Sequence, residues 1–197
     1  MSQDPTLLAD EPAAWRVVDS VDLHRDDWVM ALRADRVQRP GATHEPPFRR
    51  LVLEHPGAAV VLALDDEDRV LVLRQYRHPV QARLLELPAG LLDAGDEEPL
   101  EVARRELVEE AAMAAGEWTH LLSMHSTPGI SQEMIHYFRA RDLSPSDRGD
   151  FALQHEEADL EVIWVPFTEL VDIVLEGRTA DGPLAIAVLT ELARRGR

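Results

Sequence analysis

The stretch from Leu87 to Gly116, LPAGLLDAGDEEPLEVARRELVEEAAMAAG, constrains the fold more than any other part of the chain. It reads as a strand end, a glycine loop and a helix. Pro99 suits the first helical position, where a missing N–H costs nothing. Gly116 suits the residue just past the end, so the helix is predicted to run to it. Leu100, Ala103, Leu107, Ala111 and Ala114 recur at helical spacing and form one apolar stripe. At about 100° per residue, Glu106 and Glu110 fall side by side along one edge of that stripe, with Glu109 on the outer side. Like charges four apart cost roughly 0.2–0.5 kcal/mol on an exposed helix, and more beside a buried stripe unless a cation sits between them. The plainer alternative is a solvated helix face. Two features favour the cation: the glutamates border the core side, and a glycine loop lets backbone carbonyls approach whatever they bind. Hard oxygen ligands suit Mg²⁺ or Mn²⁺, and Mg²⁺ commonly bridges to substrate phosphates.

At this point the stretch resembles the Nudix hydrolase family, whose signature is a glycine, a glutamate, and then Arg-Glu-apolar-x-Glu-Glu-x-Gly-apolar at fixed spacing. The matching residues are Gly90, Glu97, Arg105, Glu106, Leu107, Glu109, Glu110 and Met113. Two departures stand out. The loop between Gly90 and Glu97 carries one extra residue, with Asp96 the alternative in register, and Ala112 stands where the family has glycine. Neither removes a carboxylate.

Composition narrows the partners. A formal net charge of −17 argues against nucleic acid or an anionic membrane surface. A phosphate-binding site must therefore gather its few positive charges locally. There is no cysteine, which fits a reducing cytoplasm. The first twelve residues are polar, lack the basic and apolar regions of a signal peptide, and read as frayed. No apolar run approaches the ~20 residues of a membrane span.

Along the chain, WRVVDSVDL, WVMALRADRV and FRRLVL alternate apolar and polar residues between turn-like breaks. They predict a small antiparallel β segment over residues 1–53, too small to stand alone, which should pack on the main domain or a second subunit. Residues 54–197 form the main domain. AAVVLAL and RVLVLRQYR flank DDED and read as a hairpin of strands covered on both faces. Strands follow at Leu84–Leu87, Trp118–Met124, Met134–Asp142 and Leu160–Val165. Residues 143–156 read as a mobile loop, and two helices close the chain, one ended by Gly177. The fold class is α/β: a mixed sheet with helices on both faces. The Nudix resemblance implies the same α/β/α sandwich over about residues 55–190.

The resemblance narrows further to the ADP-ribose pyrophosphatase branch. Its marker proline lies at the distance of Pro128, sixteen residues after Ala112, within S-T-P-G-I-S-Q-E; RQYRHPV, ELPAG and a dimer-forming N-terminal β segment are similar too. An ordinary turn is the alternative for Pro128-Gly129. The resemblance implies that Glu106, Glu110 and the Ala89 carbonyl hold the metal, with Glu109 assisting. It implies a base in the late loop, Glu156 or its neighbour Glu157. Arg105 and Glu97 tie helix to loop behind Gly90. Arg77 and Arg74 suit a diphosphate, since a guanidinium forms a bidentate fork. Arg50, Pro128, Gly129 and Glu133 join them as substrate-binding candidates, with Trp28 as either packing or a base-stacking platform. The implied enzyme is a homodimer that hydrolyses ADP-ribose to AMP and ribose 5-phosphate. Other nucleoside diphosphate compounds (GDP-mannose, a UDP-sugar, a dinucleoside polyphosphate) are alternatives, and a non-catalytic ADP-ribose sensor is a third class.

Overall fold

The structure is a computed structural model that describes residues 8–42, 44–93, 95, 97–149 and 159–196. It divides into two compact units. One comprises the chain to His55 together with Gly129–Ser131, and the other comprises Pro56–Pro128 and Gln132 onward.

The first unit is an antiparallel meander of β1 (Arg16–His24), β2 (Ala31–Gln38) and β3 (Phe48–Glu54). Its polar side chains are cross-linked: Ser20 donates to Asp35 at 2.6 Å, and Arg33 binds Asp35 and Glu54. The Leu53 N–H donates to the Ile130 carbonyl at 2.8 Å, which ties in the short outlying segment. All nine residues of β1 are exposed.

The second unit is built on β4 (Ala58–Ala63), six residues that are all buried. It pairs in parallel with β9 (Met134–Pro145) and antiparallel with β7 (Ala89–Leu91), and β8 (Met113–His125) completes a mixed sheet in the order β7-β4-β9-β8. A second, antiparallel sheet has the order β10-β5-β6, from β5 (Arg69–Arg77), β6 (Ala82–Glu86) and β10 (Glu161–Pro166). Alternation along β4 sends Ala58, Val60 and Leu62 toward α2 (Phe167–Leu175) and α3 (Gly182–Arg195), and Ala59, Val61 and Ala63 toward α1 (Pro99–Ala111). Helices therefore cover both faces, which is why this strand lacks the polar alternation of an exposed one.

Three sequence expectations are corrected. The hairpin of β4 and β5 closes only at the turn, where Leu64 bridges Val70; beyond it the strands enter different sheets. Both are apolar on each face, so either could pair with several partners, and distant β9 takes β4. Second, α1 stops at Ala111, not Gly116. Ala112 caps it in the left-handed region (φ +52°), its N–H reaches the Val108 carbonyl, and its own carbonyl accepts from Ser146. Ala114 therefore belongs to β8. Gly116 serves that strand instead, because a Cβ there would lie 2.1 Å from Asp142 Oδ2. Third, the loop expected from residue 143 begins later, since β9 runs to Pro145 and Arg148 donates to the Glu110 carbonyl at 2.7 Å. The rest of that loop, residues 150–156, lies outside the described residues with 157 and 158, as do residues 1–7 of the frayed start.

Candidate active site

The apolar stripe of α1 places its carboxylates. Val102, Ala103, Leu107 and Ala111 are buried against the sheet, and this draws Glu106 and Glu110 down beside them, to 8% and 4% exposure. A charge so buried needs partners. The Ala89 N–H donates to Glu110 Oε2 at 2.9 Å, which joins the helix to the first residue of β7. Glu106 lies over the next residue, Gly90, where a Cβ would fall 1.9 Å from Glu106 Oε1. Only glycine leaves room there for the carboxylate, so this loop residue is fixed by close approach.

Arg105 gathers the other acids. Its guanidinium lies 2.7 Å from Glu106 and 3.0 Å from Glu109, with Glu97 at 3.7 Å. These charges raise the Arg105 pKa against the opposing effect of burial, the largest single influence on it. Gly90, Glu97, Arg105, Glu106 and Glu109 are thus brought together, with Ala89 and Glu110 alongside. Among the described residues, no three acidic or imidazole groups yet converge on one point as a formed metal site. The donor set nevertheless fits a hard divalent cation. It consists of oxygens, two of the carboxylates are buried, Gly90 leaves a cradle beside one of them, and Glu97 Oε2 is buried with no hydrogen-bond partner. For an ion to bind, Glu106 must exchange part of its contact with Arg105. Ala89 presents its N–H to this cluster through Glu110.

The two expected phosphate-binding arginines differ. Arg77 is gripped by Glu86, with Nε at 2.9 Å from one carboxylate oxygen and Nη2 at 2.6 Å from the other. Glu86 is buried, and the pair lines a cavity of about 310 Å³ with Val80, Leu84, Ala89 and Asp181. Arg74 is exposed and paired with Glu161 of β10 at 3.1 Å. Glu86 was visible in ELPAG only as part of a motif; nothing in its spacing announced the arginine nine residues before it. Asp181 was likewise missed as the α3 cap. Its side chain accepts from the Leu184 N–H at 2.7 Å, and burial, the largest influence, pushes its pKa up to about 6.

The remaining candidates are spread over both units. Trp28 (63% exposed) and Arg50, whose guanidinium stacks 4.4 Å over Phe48, belong to the first unit, as does Gly129. Pro128 and Glu133 belong to the second, where Glu133 accepts from the Ser126 hydroxyl. Glu156 and Glu157 lie outside the described residues.

A family model described as "NUDIX domain" matches residues 53–185. The chain is 36% identical over 181 residues to a Mycobacterium tuberculosis protein named ADP-ribose pyrophosphatase, covering 89% of this chain and 84% of that protein. It is 32% identical over 160 residues to the methanol dehydrogenase activator of Bacillus methanolicus, covering 81% and 83%. A GDP-mannose pyrophosphatase of Escherichia coli O1:K1 is 32% identical over 132 residues, covering 64% and 68%. A crystal structure titled ADP compounds hydrolase superposes with a TM-score of 0.73 at 18% identity, covering 94% of this chain and 96% of that one. The fold expectation therefore holds.

Proposed function

Because this chain belongs to the Nudix family, we propose that it hydrolyses the diphosphate of ADP-ribose, in a divalent-metal-dependent reaction, to AMP and ribose 5-phosphate. The observation that carries this reading is the buried pair on α1, with Glu110 on the Ala89 N–H and Glu106 against Gly90. Glu106 and Glu110 would hold Mg²⁺ or Mn²⁺ with an Ala89 backbone oxygen, and Glu109 would assist. Such an ion offsets the negative charge that develops on a diphosphate as it is cleaved.

The chain's own groups divide the rest. Arg105 keeps Glu97, Glu106 and Glu109 together, so the acids stay beside Gly90 rather than splaying into solvent. Arg77 offers its guanidinium to the diphosphate while Glu86 fixes its orientation. Arg74, already paired with Glu161 at the surface, takes the lesser part. Glu156 is the general base for the attacking water, with Glu157 its alternative. Trp28, Arg50, Pro128, Gly129 and Glu133 are the further candidates for substrate contact. The name of the M. tuberculosis relative supports ADP-ribose as substrate. The E. coli relative makes GDP-mannose the second reading.

We further propose a homodimer in the cytoplasm. Exposed β1 supports the dimer, and the absence of cysteine suits a reducing compartment. The test is to incubate the protein with ADP-ribose, GDP-mannose, a UDP-sugar and a dinucleoside polyphosphate at millimolar Mg²⁺, and to identify the products. AMP with ribose 5-phosphate as the fastest-formed pair supports the reading. GMP with mannose 1-phosphate in its place moves the assignment to the second substrate, and no hydrolysis of any of the four removes both.

A further inference from the structure

Away from the carboxylates, three side chains of β8 and β9 meet at one point. His120 Nε2 lies 2.9 Å from Ser123 Oγ, and His136 Nδ1 lies 2.9 Å from the same oxygen. Ser123 and His136 are direct partners in the antiparallel pairing, so the ladder fixes their separation. His120 stands edge-on to Phe138, with ring centroids 5.5 Å apart, which limits how far its imidazole can turn. One hydroxyl hydrogen can serve only one ring, so the other ring must donate its own N–H to the oxygen. Two imidazole nitrogens therefore already face a single small volume, and both His120 and Ser123 are open to solvent.

The strand registers locate this cluster. Ser123, His136, Ala59 and Gly90 form one row across β8, β9, β4 and β7. Side chains of such a row share a face of the sheet. Gly90 is the residue over which Glu106 lies, so the imidazoles occupy the α1 face. Two strand spacings of about 4.8 Å separate His136 from Gly90 along the row. The cluster is thus a neighbour of the carboxylate site and chemically unlike it.

We propose that His120, Ser123 and His136 form a second metal site, one that takes a transition-metal ion of the Zn²⁺, Co²⁺ and Ni²⁺ class. Imidazole suits these ions, whereas Mg²⁺ seeks oxygen and keeps its water. Ligand bonds of about 2.0–2.1 Å require each ring to close in modestly on the point it now addresses. The hydroxyl either swings aside or stays as a weak third ligand, and water completes the coordination. Burial, and secondly the charge of His120, hold the His136 pKa below its usual value, which favours the neutral form of the ring. The inference does not depend on which substrate the family site hydrolyses.

The test uses the full chain carrying Glu110→Gln, which weakens the carboxylate site, with and without His120→Gln and His136→Gln together. Co²⁺ is titrated in at pH 7.5 with excess Mg²⁺ present and followed by its visible absorption. Retention of one Co²⁺ with imidazole-type absorption, lost or weakened at least tenfold in the double-histidine variant, is the expected result. Equal Co²⁺ stoichiometry and affinity in both proteins overturns the proposal, as does full displacement of Co²⁺ by Mg²⁺. A second measurement needs no variant. Diethylpyrocarbonate labelling of the parent with and without Zn²⁺, mapped by mass spectrometry, should show protection at His120 and His136 beyond that at the other six of the eight histidines. Uniform protection, or none at these two, likewise overturns it.

Discussion

β1 and β4 are both valine-bearing strands, yet every residue of β1 is exposed and every residue of β4 is buried. β4, AAVVLA, carries no polar side chain, and helices of its own unit cover it on both sides. β1, RVVDSVDLH, interrupts its apolar residues with Asp19, Ser20 and Asp22, and its pairing with β2 shifts register between Val17 and Asp19 and again between Asp22 and His24. Val17, Val21 and Leu23 are each 47–54% exposed. A strand of this kind loses hydrophobic stabilisation that burial of each large side chain would supply, roughly 1.5–3 kcal/mol apiece. The contrast teaches that the two units keep their structure by different means. The second holds itself through its core. The first depends on polar cross-links such as Arg33 with Glu54 and, in our proposal, on a second copy of the chain.

The contrast can be broken most severely at its buried end. Leu62→Ala, in a strand with no exposed residue, should cost about 2–5 kcal/mol in urea unfolding. Val21→Asp in β1 should change the unfolding free energy of dilute protein by no more than about 0.5 kcal/mol, while shifting sedimentation from dimer toward monomer. Comparable destabilisation by both, or a parent protein that already sediments as a monomer at micromolar concentration, would erase the distinction.

Charge gives the next largest effect. Asp22 of β1 is held below the usual carboxylate range, first by its hydrogen bond from Arg25, and sits in water. Asp181 lies in the second unit's cavity, where burial raises it to about 6 from 3.8. A raised folded-state pKa means a stabilising contribution that is full below about pH 4 and is lost as pH rises through about 6. Asp181→Asn cannot ionise and still offers an oxygen to the Leu184 N–H. Relative to the parent, the variant should therefore gain on the order of 1–3 kcal/mol between pH 4 and pH 7. Parallel stability curves for the two proteins over that range would contradict this.

The smallest effect concerns the helix end. Ala112 holds φ at +52°, where glycine has no steric penalty. Ala112→Gly should raise stability by about 0.5–1 kcal/mol and Tm by roughly 1–4 °C. An unchanged or lower Tm would mean that the Ser146 contact already removes the strain.

The sequence made some of this legible and hid the rest for identifiable reasons. The α1 stripe was readable because Ala103, Leu107 and Ala111 are local in the chain, and their periodicity carries Glu106 and Glu110 to the core edge with them. The end of that helix was not readable, because the αL cap at Ala112 is fixed by an N–H from Ser146, thirty-four residues away. The divergence of β4 and β5 was hidden because strands buried on both faces carry no mark of which neighbour they take. Arg77 was found from its residue type and its place at a strand end. Its partner Glu86 emerged only when β6 folded back on β5.

We propose that Glu106 and Glu110 hold the ion on which hydrolysis depends. The most direct measurement is the rate of ADP-ribose hydrolysis as Mg²⁺ is titrated, in the parent and in Glu110→Gln. The substitution preserves shape and removes one ligand charge. We expect the parent to depend on Mg²⁺ and the variant to fall by at least about 10²-fold in kcat at saturating Mg²⁺, since the charge stabilisation lost is worth several kcal/mol. The same Mg²⁺ dependence and the same maximal rate in both proteins would place the metal elsewhere.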